Sequence, residues 1–221
     1  FVHLTFGDMD GLTNAISDQT AAVLIEPIQG EGGIRPLPDA ELKALRQICD
    51  AAGILLILDE VQCGVGRSGK FFAHEWAGVT PDIMMVAKGI GGGFPLGAVL
   101  ATEEAASGMT AGTHGSTYGG NPLGCAVGCA VVEEVMAPGF LADVNRRAGL
   151  FQQKLEGLVA AHPDVFEELR GAGLMLGLKC KAANMDVVQA GYDNEVITVP
   201  AADNVIRLLP PLTVSDDEIS E

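Results

Sequence analysis

The sequence predicts an α/β protein, in which a mainly parallel central sheet belonging to a large domain is followed by a smaller α+β domain. Three observations predict it. A strand-like run at 21–26 is separated by one amphipathic stretch from an apolar run at 54–58, which makes a β-α-β unit with neighbouring parallel strands and a right-handed crossover. Two more apolar runs, at 82–87 and 96–101, repeat the strand pattern. From about residue 145 onward the chain turns to short strand-like pieces around a single helical stretch. The expected division is residues 1–144 for the C-terminal portion of the large domain and 145–221 for the small one.

The elements follow in order. Ala21-Ala22-Val23-Leu24-Ile25-Glu26 reads as the first strand, and a Gly/Pro-rich loop then runs to Pro38. Asp39 is expected to cap a helix with Leu42, Leu45, Ile48, Cys49 and Ala52 on its apolar face, and Gly53 to stop it. The unbroken Ile54-Leu55-Leu56-Ile57-Leu58 reads as a strand covered on both faces. Asn121-Pro122 sets a cap before a proline at the first helical position, opening a small-residue helix to about Met136. A long helix is expected over 140–161. Strand-like pieces at 165–170, 174–179, 196–199 and 205–208 then surround a helix near 185–192. Ser215-Asp216-Asp217-Glu218 opens another helix as the chain stops, and Phe1 stands where an initiator methionine would be. Both ends read as cuts through a longer protein.

Composition narrows the classes of function. The 221 residues are 48% hydrophobic, enough for a substantial core, yet no run approaches the ~20 apolar residues that span a membrane. Lys and Arg total 13 against 29 Asp and Glu, a net charge of -16, which argues against nucleic acid and anionic membrane surfaces as partners. The five cysteines form no C-x-x-C pair and lack histidines at zinc spacing. They read as buried free thiols of a reducing cytoplasm, with no metal site.

Chemistry in open α/β sheets gathers at the carboxyl ends of strands. Three expected strands end in polar residues there: Glu26, Asp59-Glu60 and Lys88. Lys88 closes an apolar strand and precedes Gly89-Ile90-Gly91-Gly92-Gly93, where its amine is expected to be poorly solvated. Desolvation favours the neutral amine that a Schiff base requires. From position alone, a lysine snorkelling from a strand end is the plainer reading. Asp59 changes the balance, because a carboxylate after a fully apolar strand needs a partner, and a protonated pyridine nitrogen such as that of pyridoxal phosphate suits it. Taken alone, a helix cap or salt bridge is the plainer reading of Asp59. Two glycine-rich segments invite other readings. Gly64-Val65-Gly66-Arg67-Ser68-Gly69-Lys70 nearly spells a nucleotide-binding P-loop, but Phe71 stands where Ser or Thr must meet magnesium. Residues 89–97 suggest a dinucleotide fingerprint, which Phe94-Pro95 interrupts.

Four blocks in order carry a family resemblance. They are Glu26-Pro27-Ile28-Gln29-Gly30-Glu31-Gly32-Gly33; Leu58-Asp59-Glu60-Val61-Gln62-Cys63-Gly64-Val65-Gly66-Arg67-Ser68-Gly69; Ala87-Lys88-Gly89-Ile90-Gly91-Gly92-Gly93-Phe94-Pro95; and His114-Gly115-Ser116-Thr117-Tyr118-Gly119-Gly120-Asn121-Pro122-Leu123. Together they resemble the class III aminotransferases of fold type I, and most closely the acetylornithine aminotransferase branch. The resemblance runs through essentially the whole chain, to Arg207-Leu208-Leu209-Pro210-Pro211-Leu212, and corresponds to the C-terminal half of a family member.

The resemblance implies pyridoxal 5'-phosphate as cofactor, with Lys88 as the Schiff-base lysine and proton carrier. It implies Asp59 on the pyridinium nitrogen, with Asp59-Glu60-Val61-Gln62 lining the cofactor: Val61 on a ring face and Gln62 near the phenolic oxygen. Thr117 is implied on the phosphate of a neighbouring subunit's cofactor, with Ser116 beside the substrate there. Arg207 is implied as the clamp on the substrate carboxylate, and Glu31 as its gate. The implied reaction is ping-pong amino transfer from N-acetylornithine to 2-oxoglutarate, giving glutamate, in arginine biosynthesis. It would take place in a cytoplasmic homodimer with shared active sites and no nucleic-acid or membrane partner. Ornithine, succinylornithine and 4-aminobutyrate aminotransferases are the near alternatives. The family's Gly-rich phosphate loop, its ring-stacking aromatic residue and a further substrate arginine lie N-terminal to this chain. A rival reading is therefore a catalytically incomplete chain that acts only by association.

Overall fold

The computed structural model describes residues 1–220, which form two compact units, each drawn from three segments of chain. The first comprises residues 1–27, 37–62 and 74–132; the second comprises 28–36, 63–73 and the residues from 133 onward. This division by compactness differs from the consecutive one at 144/145, because two short loop segments and residues 133–144 join the C-terminal residues.

The first unit is built on a four-stranded sheet in the order β1 (Ala22–Ile25), β4 (Leu55–Asp59), β5 (Ile83–Val86), β6 (Ala98–Ala101). The β1–β4 and β4–β5 pairs are parallel, as the β-α-β reading requires, while β6 runs antiparallel at the edge. Helix α2 (Asp39–Ala52) makes the crossover, and Leu42, Leu45 and Cys49 bury against Leu56 and Leu58 of β4. Its cap departs from expectation. Pro38 is the N-cap, and Asp39 is the first helical residue, where its charge complements the positive end of the helix dipole. Gly53 closes the helix in the left-handed conformation at φ 65°, as expected. A short α1 (Met9–Ala15), which sequence patterning did not suggest, adds Leu12 to the same core. Exposure alternates along β4: Leu56 and Leu58 are fully buried, whereas Leu55, Ile57 and Asp59 are half-buried. One face is thus sealed and the other partly open, where complete cover was expected.

After β6 come a four-residue helix α3 (Glu103–Ala106) and α4 (Pro122–Val135). The Asn121 side chain accepts from the Gly124 N–H at 2.8 Å, so the cap before the proline forms as its sequence predicts. Helix α4 exposes Cys125 and Cys129, which corrects the expectation of five buried thiols. Cys49, Cys63 and Cys180 are buried, and burial pushes the Cys49 thiol up to about 11. No single helix among the described residues is long and apolar enough to cross a membrane.

The second unit holds an antiparallel sheet in the order β7 (Phe166–Ala172), β8 (Met175–Cys180), β10 (Val205–Leu208), β9 (Val199–Ala201). Helices α5 (Phe140–Ala161) and α6 (Asn184–Asp193) contribute Leu155 and Val188, which cover one face together with Leu176, Leu178 and Ile206. The opposite face takes Met175 and Val205 against Ile28 and Ile34. These last two belong to a small hairpin, β2 (Ile28–Gln29) and β3 (Arg35–Pro36), in the stretch that reads as plain loop. A Cβ on Gly177 would lie 2.8 Å from Val205 Cγ1 and 2.9 Å from Ile34 Cβ, so that strand accepts only glycine at the contact. Helix α7 (Asp216–Ser220) opens where expected, with a reciprocal cap: Ser215 N–H donates to Glu218 Oε2 at 2.7 Å, and Glu218 N–H to Ser215 Oγ at 3.2 Å.

Candidate active site

In the first unit the parallel register ends with Leu58 beside Met84 and Asp59 beside Met85. The next backbone step continues the pairing, as Glu60 N–H donates to Met85 O at 2.9 Å. Asp59, Glu60 and, three residues past Met85, Lys88 are therefore gathered at the carboxyl ends of two adjacent strands. The Asp59 carboxylate accepts from the Val61 N–H at 2.9 Å, which fixes its rotamer at the half-covered edge. Glu60 lies on the opposite, sealed side and is fully buried; its Oε1 accepts from the His74 N–H at 2.9 Å and pairs with His74 Nδ1 at 2.7 Å. Val61 and Gln62 follow, both half-buried.

Lys88 opens a 3-10 turn, Lys88–Gly91, at φ 47°, a left-handed conformation that few non-glycine residues adopt. Such outliers cluster at working sites. The lysine is exposed, contrary to the desolvated setting expected for it. The reason is local: the turn carries it past the end of strand pairing, and Gly89, Gly91, Gly92 and Gly93 bring no side chains to cover it. These glycines form turns rather than a helix, with Gly92 and Gly93 at φ 52° and 105°, which disposes of the dinucleotide reading.

Ser116 and Thr117 lie exposed in the loop between α3 and α4. Ser116 Oγ accepts from the Gly119 N–H at 2.9 Å, a bond within its own turn. Among the described residues, no hydrogen bond or ion pair joins these two to Asp59 or Lys88. The P-loop look-alike is likewise occupied with its own unit. Arg67 Nη1 donates to Leu174 O at 3.1 Å and Pro210 O at 2.5 Å, burial pulls its pKa down, and Gly66 N–H donates to Phe71 O at 3.1 Å. A 3-10 turn, Ala73–Trp76, follows in place of a phosphate-binding helix.

The second unit brings Glu31 and Arg207 together from 176 residues apart, with Arg207 Nη1 donating to Glu31 Oε1 at 2.5 Å. Arg207 Nη2 also donates to Pro200 O at 3.3 Å across the β9–β10 pair. The arginine side chain is 7% exposed and the glutamate 77%, so a buried guanidinium meets a carboxylate that can still turn to solvent. The Glu31 backbone is pinned meanwhile, its carbonyl accepting from the Ala202 N–H at 2.9 Å.

Pyridoxal phosphate needs a primary amine for its aldehyde carbon and a carboxylate for its ring nitrogen. Lys88 and Asp59, on neighbouring strand ends, are groups of those two kinds and would fit it, and the exposed Thr117 hydroxyl is of a kind that could meet a phosphate. His74 is the residue that sequence reasoning missed. The sequence carries no signal for it, since neither the burial of Glu60 nor which polar residue meets its carboxylate can be read from the chain.

The family model described as Aminotransferase class-III matches residues 4–221. Over all 221 residues the chain is 70% identical to the acetylornithine aminotransferase of Rhodobacter capsulatus, covering 56% of that protein. It is 62% identical to that of Mesorhizobium japonicum, covering 55%. Among solved structures, an N-acetylornithine aminotransferase from Stenotrophomonas maltophilia matches the whole chain with a TM-score of 0.89 at 35% identity, over 59% of its own length. An ornithine aminotransferase from Plasmodium yoelii matches the whole chain with a TM-score of 0.93 at 30% identity, also over 59%. The chain spans about 55% of the length of the curated relatives it matches.

Proposed function

Because the chain belongs to the class III aminotransferase family, we propose that the protein it represents is a pyridoxal-phosphate-dependent transaminase that moves an amino group between N-acetylornithine and 2-oxoglutarate. Its fold is that of the fold-type I aminotransferases. The observation that carries the reading is the convergence of the Asp59 carboxylate and Lys88 at adjacent carboxyl ends of parallel strands. The choice of donor rests on relatives: those at 70% and 62% identity bear the acetylornithine name, while the ornithine enzyme of P. yoelii stands at 30%.

When bound, the cofactor supplies an electron sink that makes the proton on the substrate's amine-bearing carbon removable. Lys88 would hold it through Nζ and, once displaced by substrate, carry that proton between carbon and cofactor as general base and acid. Asp59 would keep the ring nitrogen protonated, since a nearby carboxylate favours the charged pyridinium. Val61 would pack on a ring face and Gln62 would bond near the phenolic oxygen. Ser116 and Thr117 would serve the site of a second copy in a homodimer, which suits their exposure in this chain. Arg207 would clamp the substrate carboxylate through two parallel N–H donors. Glu31 would neutralise that guanidinium in one half-reaction and swing outward in the other, and the exposure of its side chain supports such a swing. The exchange would let one site take both an ω-amino donor and 2-oxoglutarate. The cytoplasm, where arginine biosynthesis would use this step, is the compartment that fits a chain with five free thiols.

The test is borohydride reduction and peptide mapping of the protein with pyridoxal phosphate, followed by visible spectra after adding N-acetylornithine, ornithine or 4-aminobutyrate to unreduced samples. A reduced adduct on Lys88, with the visible band bleached fastest by N-acetylornithine, is the expected result. An adduct on another lysine would remove the mechanism, and faster bleaching by ornithine would reassign the donor.

A further inference from the structure

Glu60 is the one carboxylate among the described residues with no solvent exposure, and the residue before it is Asp59. Taking a carboxylate out of water costs several kcal/mol unless donors replace the lost hydration. Here His74 supplies two donors to a single oxygen: its N–H at 2.9 Å and its ring Nδ1 at 2.7 Å. The backbone of Glu60 is committed as well, its N–H bonding Met85 O in the strand that leads to Lys88. Side chains alternate along a strand, and burial here follows the same alternation, with Leu56, Leu58 and Glu60 sealed and Leu55, Ile57 and Asp59 half-open. Anchoring Glu60 on the sealed side therefore sets the direction in which its neighbour Asp59 leaves the backbone. It does so at the register step next to the Lys88 strand, the distance that matters for one ligand to meet both groups.

We propose that His74 and Glu60 are a buried positioning pair that aims the Asp59 carboxylate at the cofactor's ring nitrogen. The proposal rests on the cofactor role given to Asp59 and Lys88 above. Neither residue of the pair is a catalytic residue; both act through Asp59. His74 matters through Nδ1, because its backbone N–H would remain whatever the side chain.

The experiment uses the complete protein carrying His74→Asn, which retains a donor near the Nδ1 position, or His74→Leu, which removes it. Three quantities are read: the dissociation constant of pyridoxal phosphate, the visible circular dichroism of the bound cofactor, which reports how the ring is held, and the thermal midpoint of the cofactor-free protein. The leucine variant is expected to bind the cofactor about 10-fold more weakly, the usual order of effect for a supporting shell, and to lose most of the visible dichroism. The asparagine variant is expected to recover both. Wild-type affinity and dichroism in the leucine variant would overturn the proposal. So would an equal loss in both variants, or a cofactor-free thermal midpoint that falls in step with affinity, since either marks a merely structural contact. Borohydride mapping of the wild type is done alongside. An adduct away from Lys88 there would overturn the underlying reading and this proposal with it, whereas a Lys88 adduct with an indifferent His74→Leu would overturn this proposal alone.

Discussion

Lys88 begins its turn in a backbone conformation that costs an L-residue roughly 1–2 kcal/mol, so its neighbours hold it there and its side chain does not. Lys88→Ala in the complete protein is therefore expected to abolish turnover and leave the fold intact, with far-ultraviolet dichroism and a steady-state assay as the checks. Near-normal turnover would take Lys88 out of the site. Arg207→Lys is expected to raise KM for glutamate and 2-oxoglutarate on the order of 10-fold or more, because an ammonium cannot reproduce the planar fork, with a smaller change in kcat. Unchanged kinetics with glutamate would free Arg207 from its assigned part. At this scale much was legible. Asp59 and Lys88 were marked by polarity after apolar strands, and Glu31 with Arg207 by the family blocks. What could not be read was solvent contact: Lys88 is exposed and Glu60 sealed, and both facts follow from how the ends of β4 and β5 sit side by side.

Among the elements, the β1–α2–β4 unit is locked by a residue that attracted no notice in the sequence. The Asp82 carboxylate, just before β5, accepts from the Leu56 N–H of β4 and from Arg46 Nη1 of α2, both at 2.7 Å. Burial works against its ionisation, but the Leu56 N–H and the Arg46 guanidinium outweigh that and hold the carboxyl below the usual range. A folded pKa below the unfolded one means stabilisation that is present above about pH 4 and lost as pH falls through the depressed value. Asp82→Asn is thus expected to lower the thermal midpoint near neutrality and to flatten its fall in acid; melts from about pH 3 to about pH 7 would show parallel curves if Asp82 were idle. In the second unit, Gly173 turns β7 into β8 at φ 58°, and a Cβ there would sit 2.5 Å from the Ser68 carbonyl carbon and 2.6 Å from Arg67 O. Gly173→Ala is expected to cost about 2 kcal/mol in chemical denaturation, since neither backbone can retreat. Helix and strand existence was readable from period and punctuation, and α5 and β10 match their expected spans. The third strand-like piece of the C-terminal region was displaced, from 196–199 to Val199–Ala201, because it is register with β10 that decides which residues pair. The β2–β3 hairpin was invisible, because two-residue strands have no periodicity to read.

For the molecule as a whole, the first unit leaves Val99 and Leu100 of β6 at 69% and 44% exposure and Leu123 of α4 at 63%, more apolar surface than a solitary soluble chain usually shows. The 221-residue chain purified alone is expected to self-associate in a concentration-dependent way, as measured by light scattering; a monomer at every concentration would contradict this. Composition could not place these residues, since it says nothing about which face of a helix or edge strand lies open. Nor could a reading by segment character find units assembled from non-adjacent pieces, because contact across more than a hundred residues leaves no mark on local pattern.

That interleaving bears on how the protein comes into being. The hairpin containing Ile34 completes its packing only against Met175, Gly177 and Val205, and Glu31 meets Arg207 only when the last tenth of the chain exists. A ribosome delivering residues in order must therefore release the 28–36 segment without its packing against Met175 and Val205 and keep it so until the C-terminal strands emerge, with closure of a long loop as the entropic barrier. The second unit is a late folder by construction, and during synthesis its earliest-made piece is the most exposed to misassociation.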